Sequence, residues 1–269
     1  MPITPRPIES IPSRGVFMGL YGPTGVGKTV TLMKYILTKR MLYMKTENRN
    51  PHTSMDVAER DLKKHPVDVI DYPGDFEEFL GFISDERNFD PYDAIMLDST
   101  THLMNMDLSQ AIEKETFEAL KDEEKSKRRL IRQTKKEFDG WGALAGQMFR
   151  ILDPLAKRAN EGTGKIVVCT FLHDSSPSWG REHINAPLVD GKKFGDNMGG
   201  FFDYIGFLEE RFNEDGKQVF PPLVHFSGMP YTYCKWTGRV PKPLEGKDLV
   251  APVDVVLKYI MKTRGFEVE

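Results

Sequence analysis

The sequence predicts an α/β protein with a mostly parallel central β-sheet flanked by helices, and three features carry that expectation. Short apolar runs suited to buried strands alternate with segments of helical spacing, the pattern of a parallel sheet covered on both faces. The first run, Val16 to Tyr21, leads directly into Gly22-Pro23-Thr24-Gly25-Val26-Gly27-Lys28-Thr29, a complete G-x-x-x-x-G-K-[ST] loop that opens a helix. A later run, Ala94 to Leu97, is continuously apolar and ends in Asp98, as expected of a strand buried on both faces.

In chain order, Pro2, Pro5, Pro7 and Pro12 forbid a helix and predict an extended arm over residues 1–14. The remaining residues, 15–269, are expected to form one large domain. From Thr29 to Lys39, Val30, Met33, Ile36 and Leu37 recur at helical spacing. Met41 to Thr46 reads as a second strand and Val67 to Ile70 as a third. A helix from Phe76 to Ile83 follows, with Asp75 as N-cap and Glu78 three residues on. After the strand Ala94–Asp98 comes a long, mostly helical stretch. Within it Trp141, Leu144, Ala145, Met148, Phe149 and Leu152 mark a face packed on the sheet, and Pro154 either kinks that helix or begins another. Lys165 to Thr170 is a further apolar strand. Shorter strands are expected around Tyr204–Leu208, Leu223–Phe226 and Tyr231–Trp236, and a final helix from Val253 to Met261.

A formal charge of −3, with acids and bases mixed throughout, provides no global basic field, so any nucleic-acid binding has to rest on local patches. There is no signal-like apolar segment at the start and no run of about 18 apolar residues, so a soluble, cytoplasmic protein is expected. Cys169 and Cys234 fall in expected strands without metal-ligand spacing and read as small buried hydrophobes in a reducing compartment.

The loop Gly22–Thr29 implies a nucleoside triphosphate. Its glycines let backbone N–H groups crowd the phosphate oxygens, Lys28 reaches the terminal phosphates, and Thr29 offers a hydroxyl to Mg²⁺. A second magnesium ligand is expected at the end of a neighbouring strand. Asp71, in the D-x-x-G string Asp71-Tyr72-Pro73-Gly74, competes with Asp98. Asp68 interrupts the strand before Asp71, and the guanine-reading N-K-x-D string is absent, so Asp98 is preferred and Asp71 reads as a turn residue. Glu47 directly follows the second strand, where the carboxyl end of a parallel strand faces the ligand crevice. On position alone it reads as a solvated loop glutamate.

With the phosphate loop, an acid after the second strand, a strand ending in Asp98-Ser99, and a later one ending in Thr170-Phe171-Leu172-His173, the order of motifs resembles the RecA-like P-loop NTPase core. More closely, it resembles phage-encoded RecA-like proteins that act as single-strand DNA annealing ATPases, over roughly residues 15 to 245. The resemblance implies ATP and Mg²⁺ as cofactors, single-stranded DNA as partner, and a homo-oligomeric ring or filament in the cytoplasm of a host. It makes Glu47 the residue that polarises the attacking water, Asp98 the magnesium-coordinating acid, and His173 the sensor of the γ-phosphate. It makes Asp174 to Asn197, followed by Gly199-Gly200-Phe201-Phe202, the mobile loop and ensuing helix that contact DNA. Lys192 and Lys193 lie near where RecA-like filaments place lysines that reach the neighbouring subunit's nucleotide, and Lys235 to Arg239 resembles a basic turn of the phage proteins. Two departures, in the loop's glycine and aromatic content and in the lack of an appended DNA-binding domain, favour annealing over full strand exchange.

Two clusters suit DNA by composition. Lys121 to Glu137 holds eight bases against four acids, a stretch that reads equally as a solvated helix face. Arg181, Lys192 and Lys193, with Trp179 and Phe194, combine cations for phosphates with rings for bases, although the rings serve equally as anchors of the loop. Two other functions share the core: a DNA packaging or helicase-like motor, with Arg211 or Arg239 acting in trans, and a small-molecule kinase with a lid after Asp98.

Overall fold

The computed structural model describes residues 15–108, 140–160, 164–175, 177, 185–226, 232–237 and 250–266. The N-terminal arm, the basic stretch Lys121–Glu137, Trp179, Arg181 and Arg239 lie outside the described residues.

The first half alternates strand and helix: β1 (Val16–Gly22), α1 (Lys28–Tyr35), β2 (Met41–Lys45), α2 (Pro51–Val57), β3 (Val67–Asp71), α3 (Phe76–Ser84) and β4 (Ala94–Asp98). Beyond it come α4 (Gly140–Asn160), β5 (Ile166–Asp174), the short β6 (Ala186–Pro187) and α5 (Lys192–Met198). The chain continues through β7 (Tyr204–Phe212), β8 (Gln218–His225), β9 (Lys235–Trp236), β10 (Val250–Pro252) and α6 (Val253–Thr263).

All of the strands join one sheet in the order β10-β8-β7-β1-β5-β4-β2-β3, with β6 on β5 and β9 on β7. From β7 to β3 the strands neighbouring in this order are parallel, whereas β8 and β10 at the other end, and the short β6 and β9, pair antiparallel. β5 is therefore inserted between the strand that feeds the phosphate loop and the strand that ends in Asp98. The mostly parallel α/β sheet expected from the sequence is the architecture observed.

Every residue of β1 is buried, and its two-residue period sorts the core. Phe17 and Tyr21 join the face covered by α3, α4 and α5, with Phe79, Ile83, Leu144, Met148, Leu152 and Phe194. Val16, Met18 and Leu20 face the opposite layer, where Leu32 and Met33 of α1 pack with Val253, Val256, Leu257 and Ile260 of α6. Between these layers the sheet carries its active edge at the carboxyl ends of its parallel strands.

Several boundaries differ from expectation for identifiable reasons. α1 stops at Tyr35 rather than Lys39, because Arg60, distant in sequence, donates from Nη1 to the carbonyls of Met33 (2.6 Å) and Ile36 (3.1 Å) and so satisfies the end of the helix. α4 runs through Pro154 as one helix, with Ile151, Leu152 and Leu155 fully buried on either side. β5 continues past Thr170 to Asp174, since β6 pairs with His173 and Asp174. Asp71 is not a turn residue: it closes β3 and pairs with Lys45 Nζ at 2.6 Å. Asp75 does cap α3, accepting from the Glu78 backbone N–H at 2.9 Å. Cys169 is buried in β5, and Cys234 lies half-buried one residue before β9 rather than within a strand. Burial pushes both thiols up to about 12, as expected of inert cysteines.

Candidate active site

The phosphate loop begins where β1 leaves the sheet. A side chain at Gly22 would bring its Cβ to 2.7 Å from the Leu208 carbonyl oxygen on β7, so only glycine lets the chain exit there. Gly25 and Gly27 sit at φ 91° and 89°, the left-handed region that glycine adopts without strain, and Gly27 is the N-cap of α1. Lys28 folds back along the loop, donating from Nζ to the carbonyls of Gly22 (2.8 Å) and Pro23 (2.9 Å). Burial pushes its ammonium down to about 8 against the opposing pull of the Asp98 and Glu47 carboxylates.

Asp98 is 7% exposed and gathers hydroxyls from three elements. Thr29 Oγ1 donates to Oδ2 at 2.7 Å and Tyr43 Oη to the same oxygen at 2.9 Å, while Thr170 Oγ1 donates to Oδ1. Asp71 lies at the same level of the sheet but across β2, with both acids opposite Lys45, and its side chain is 71% exposed. Its distance from β1 and its ion pair with Lys45 separate it from the loop. Thr29 and Asp98 thus meet at the helix start, and a hydroxyl beside a carboxylate is a hard-oxygen donor pair suited to Mg²⁺.

That geometry makes the family match decisive, because the AAA domain family is matched over residues 14–233, from the start of the described chain through the whole parallel sheet. The chain belongs to the AAA domain family. Its family and its phosphate loop imply a nucleotide as the ligand. No match was found among curated proteins. Among solved structures the chain is similar to a KaiC-like protein from Pyrococcus horikoshii, at 12% identity over 79% of this chain and 78% of that one, with a TM-score of 0.41. It is also similar to the flagellar accessory protein FlaH from Methanocaldococcus jannaschii (15% identity, 88% and 89% covered, TM-score 0.42). A third likeness is to the ATPase EscN, solved with its central stalk EscO from the type III secretion system of enteropathogenic E. coli (15% identity, 73% and 42% covered, TM-score 0.43).

Next to Asp98 in this AAA domain, the edges of β2 and β4 are stitched together. Thr46 Oγ1 donates to the Ser99 carbonyl (2.7 Å) and accepts from the Ser99 N–H (2.9 Å). Ser99 Oγ in turn donates to Glu47 Oε1 at 2.8 Å, and Arg49 Nε lies 2.9 Å from Glu47 Oε2. Glu47 is 17% exposed, so it is not the freely solvated loop glutamate its position alone implied. Within the loop plane, Leu172 stands opposite Gly22, which places His173 one residue beyond the start of the phosphate loop on the adjacent strand. His173 Nε2 lies 2.7 Å from Asn185 Oδ1, and its ring packs 5.2 Å from that of Phe207.

Of the residues expected at DNA, Lys192 and Lys193 lie among the described residues, and Trp179 and Arg181 lie outside them. Lys192 and Lys193 are exposed at the start of α5, and within the segment expected as loop and ensuing helix Ala186–Pro187 is strand. Phe194 is 0% exposed, 5.5 Å from Phe149 in the core, and offers no face to a base; at this position the anchor reading holds. Tyr43, Thr46, Thr170 and Asn185 were missed by the sequence reading. Tyr43 and Thr170 sit in apolar strands and look like core until the register places them beside Asp98. No helix among the described residues is long and apolar enough to cross a membrane.

The lysine shift has a measurable consequence. Phosphates require Lys28 charged, and in the free protein the proton is lost as pH rises through about 8, so binding above that pH must recover it. ATP affinity is therefore expected to be flat below about pH 7 and to fall by up to about tenfold per pH unit above 8. Between about 8 and the ordinary lysine value of 10.5 the unfolded chain binds the proton better, so this group's contribution to stability rises with pH across that window. Calorimetric titration with ATP at pH 7, 8 and 9 measures the first effect, and a flat affinity across that range contradicts it.

Proposed function

We propose that the protein is an ATPase whose nucleotide state controls its binding to single-stranded DNA, acting in strand annealing and recombination of a phage or mobile element. The observation that supports this reading best is a line of contacts from the phosphate loop to a pair of exposed lysines. Tyr21 of β1 donates from Oη to the Asn185 carbonyl at 3.1 Å, Asn185 Oδ1 meets His173, and Asn185 opens the segment that runs through β6 into Lys192 and Lys193. These ties to the loop's strand and to its neighbour support a role for Asn185 in reporting the γ-phosphate to that segment.

In this reading Thr29 and Asp98 hold Mg²⁺, which neutralises charge on the phosphates when bound. Lys28 turns from the Gly22 and Pro23 carbonyls to the phosphate oxygens. Glu47, oriented by Ser99, holds and polarises the attacking water. His173 senses the terminal phosphate through Asn185. Lys192, Lys193 and Arg181 contact DNA phosphates and Trp179 stacks on a base, while copies of the chain assemble as a ring or filament.

The reading is tested by single-strand binding at several salt concentrations, with ATP and with ADP. Affinity is expected to require ATP and to fall with salt at a log–log slope of about −0.7 per phosphate neutralised. Changing Lys192 and Lys193 together to Ala is expected to reduce that slope by about one to two units. Absence of ATP-dependent binding at low salt would contradict the reading.

A further inference from the structure

Asp98 ends β4, which lies between β5 and β2, and both neighbours send a hydroxyl to its carboxylate. On the β2 side Tyr43 pairs in register with Met96, two residues before Asp98, and its ring carries Oη along the strand to within 2.9 Å of Oδ2. On the β5 side Thr170 lies one step beyond the Leu97–Cys169 pair and donates to Oδ1. Thr29 Oγ1, from the start of α1, donates to Oδ2 at 2.7 Å. Tyr43 is 4% exposed and Thr170 0%, so neither hydroxyl has bulk water as an alternative partner. An ionised carboxylate offers about four acceptor positions, two on each oxygen. Oδ2, with Thr29 and Tyr43, is therefore full, and Oδ1 keeps one position. A metal bound by Thr29 takes a lone pair of its oxygen while the hydrogen stays on Asp98, so the count does not change.

We propose that Tyr43 sets the metal preference of the site: by filling Oδ2 it confines Asp98 to a single contact through Oδ1, which suits Mg²⁺ and penalises Ca²⁺. The inference rests on the reading of Thr29 and Asp98 as the magnesium pair and adds to it the residue that excludes a competing cation. Mg²⁺ demands near-ideal octahedral geometry and keeps several of its waters, so it asks of a carboxylate one oxygen, or an acceptor for one bound water. Ca²⁺ is larger, takes roughly 6–8 oxygens and accepts a carboxylate through both of its oxygens at once. That two-oxygen grip is closed while Thr29 and Tyr43 occupy Oδ2. The hydroxyls of Tyr43 and Thr170 are not equivalent in this respect. Removing that of Tyr43 leaves one position open on each oxygen, whereas removing that of Thr170 opens a second position on Oδ1 and leaves Oδ2 full. Tyr43 is thus a positioning residue, acting on the metal through Asp98.

The test is calorimetric titration of the full chain with the non-hydrolysable ATP analogue that carries a β,γ-imido link, in Mg²⁺, in Ca²⁺ and in EDTA, for wild type, Tyr43→Phe and Thr170→Val. Wild type is expected to gain at least about tenfold more affinity from Mg²⁺ than from Ca²⁺, the lower end of what partners that orient a metal ligand contribute. Tyr43→Phe is expected to raise the gain from Ca²⁺ by about tenfold and to hold the gain from Mg²⁺ within about threefold, so that the two converge. Thr170→Val is expected to change both gains alike and keep their ratio. Binding in EDTA does not involve the metal, so wild-type affinity there shows that each variant is folded with its phosphate loop intact. An unchanged Mg²⁺-to-Ca²⁺ ratio in Tyr43→Phe, or the same change of ratio in Thr170→Val, would mean that the hydroxyls only brace Asp98, and overturns the proposal. Equal gains from the two cations in wild type overturn it as well. If the analogue binds but Mg²⁺ adds nothing over EDTA, the magnesium reading of Thr29 and Asp98 fails and this inference with it, while the phosphate loop stands.

Discussion

Glu47→Gln is expected to bind ATP as the wild type does and to lose about 10²–10⁴-fold in turnover, the usual contribution of a group that positions or deprotonates an attacking water. The expectation comes from how the carboxylate is held. Ser99 Oγ fixes one oxygen at 2.8 Å and Arg49 approaches the other at 2.9 Å, while Thr46 locks the Ser99 backbone from both sides. A glutamine keeps the size and the acceptor for Ser99 but removes the charge, so the fold and the phosphate contacts stay in place. Steady-state phosphate release measured beside calorimetric ATP affinity separates the two effects. A variant with near wild-type turnover would assign Glu47 to the surface and move the hydrolytic role elsewhere.

Lys28→Ala is expected to weaken ATP binding by about 2–5 kcal/mol, the range for removing one partner of a buried charged contact. Lys28 is 9% exposed, and both of its visible partners are loop carbonyls that phosphate oxygens replace. The loss should fall on affinity rather than on folding. Below pH 8 a buried ammonium is costly to keep, so its removal is expected to leave thermal stability unchanged or slightly raised in the absence of nucleotide. Unchanged ATP affinity in calorimetry would contradict the phosphate-binding role of the loop.

Where local chemistry decides structure, the sequence was legible. The apolar runs of β1, β4 and β5, the glycines of the loop, and the Asp75 cap of α3 each state their own conformation. Where distant residues decide it, the sequence was silent. The end of α1 depends on Arg60 reaching back to Met33 and Ile36, and β5 is prolonged by pairing with β6. The same division runs through the site. Lys28, Thr29 and Asp98 were readable because motif and strand end mark them, whereas Tyr43 and Thr170 reach Asp98 only through the order of β2, β4 and β5 in the sheet. Phe194 reads equally as a stacking ring or an anchor, because a sequence does not show which face of a seven-residue helix meets the core.

If nucleotide chemistry at the phosphate loop is coupled to single-stranded DNA, each site must respond to the other, because coupling is reciprocal. ATP turnover by the wild-type protein, measured with and without single-stranded DNA at low salt, tests it most directly. ATP hydrolysis is expected to rise when DNA is added, with the rise diminished in the Lys192→Ala, Lys193→Ala double variant. Hydrolysis indifferent to DNA at every concentration, alongside phosphoryl transfer to a small-molecule acceptor, would contradict it.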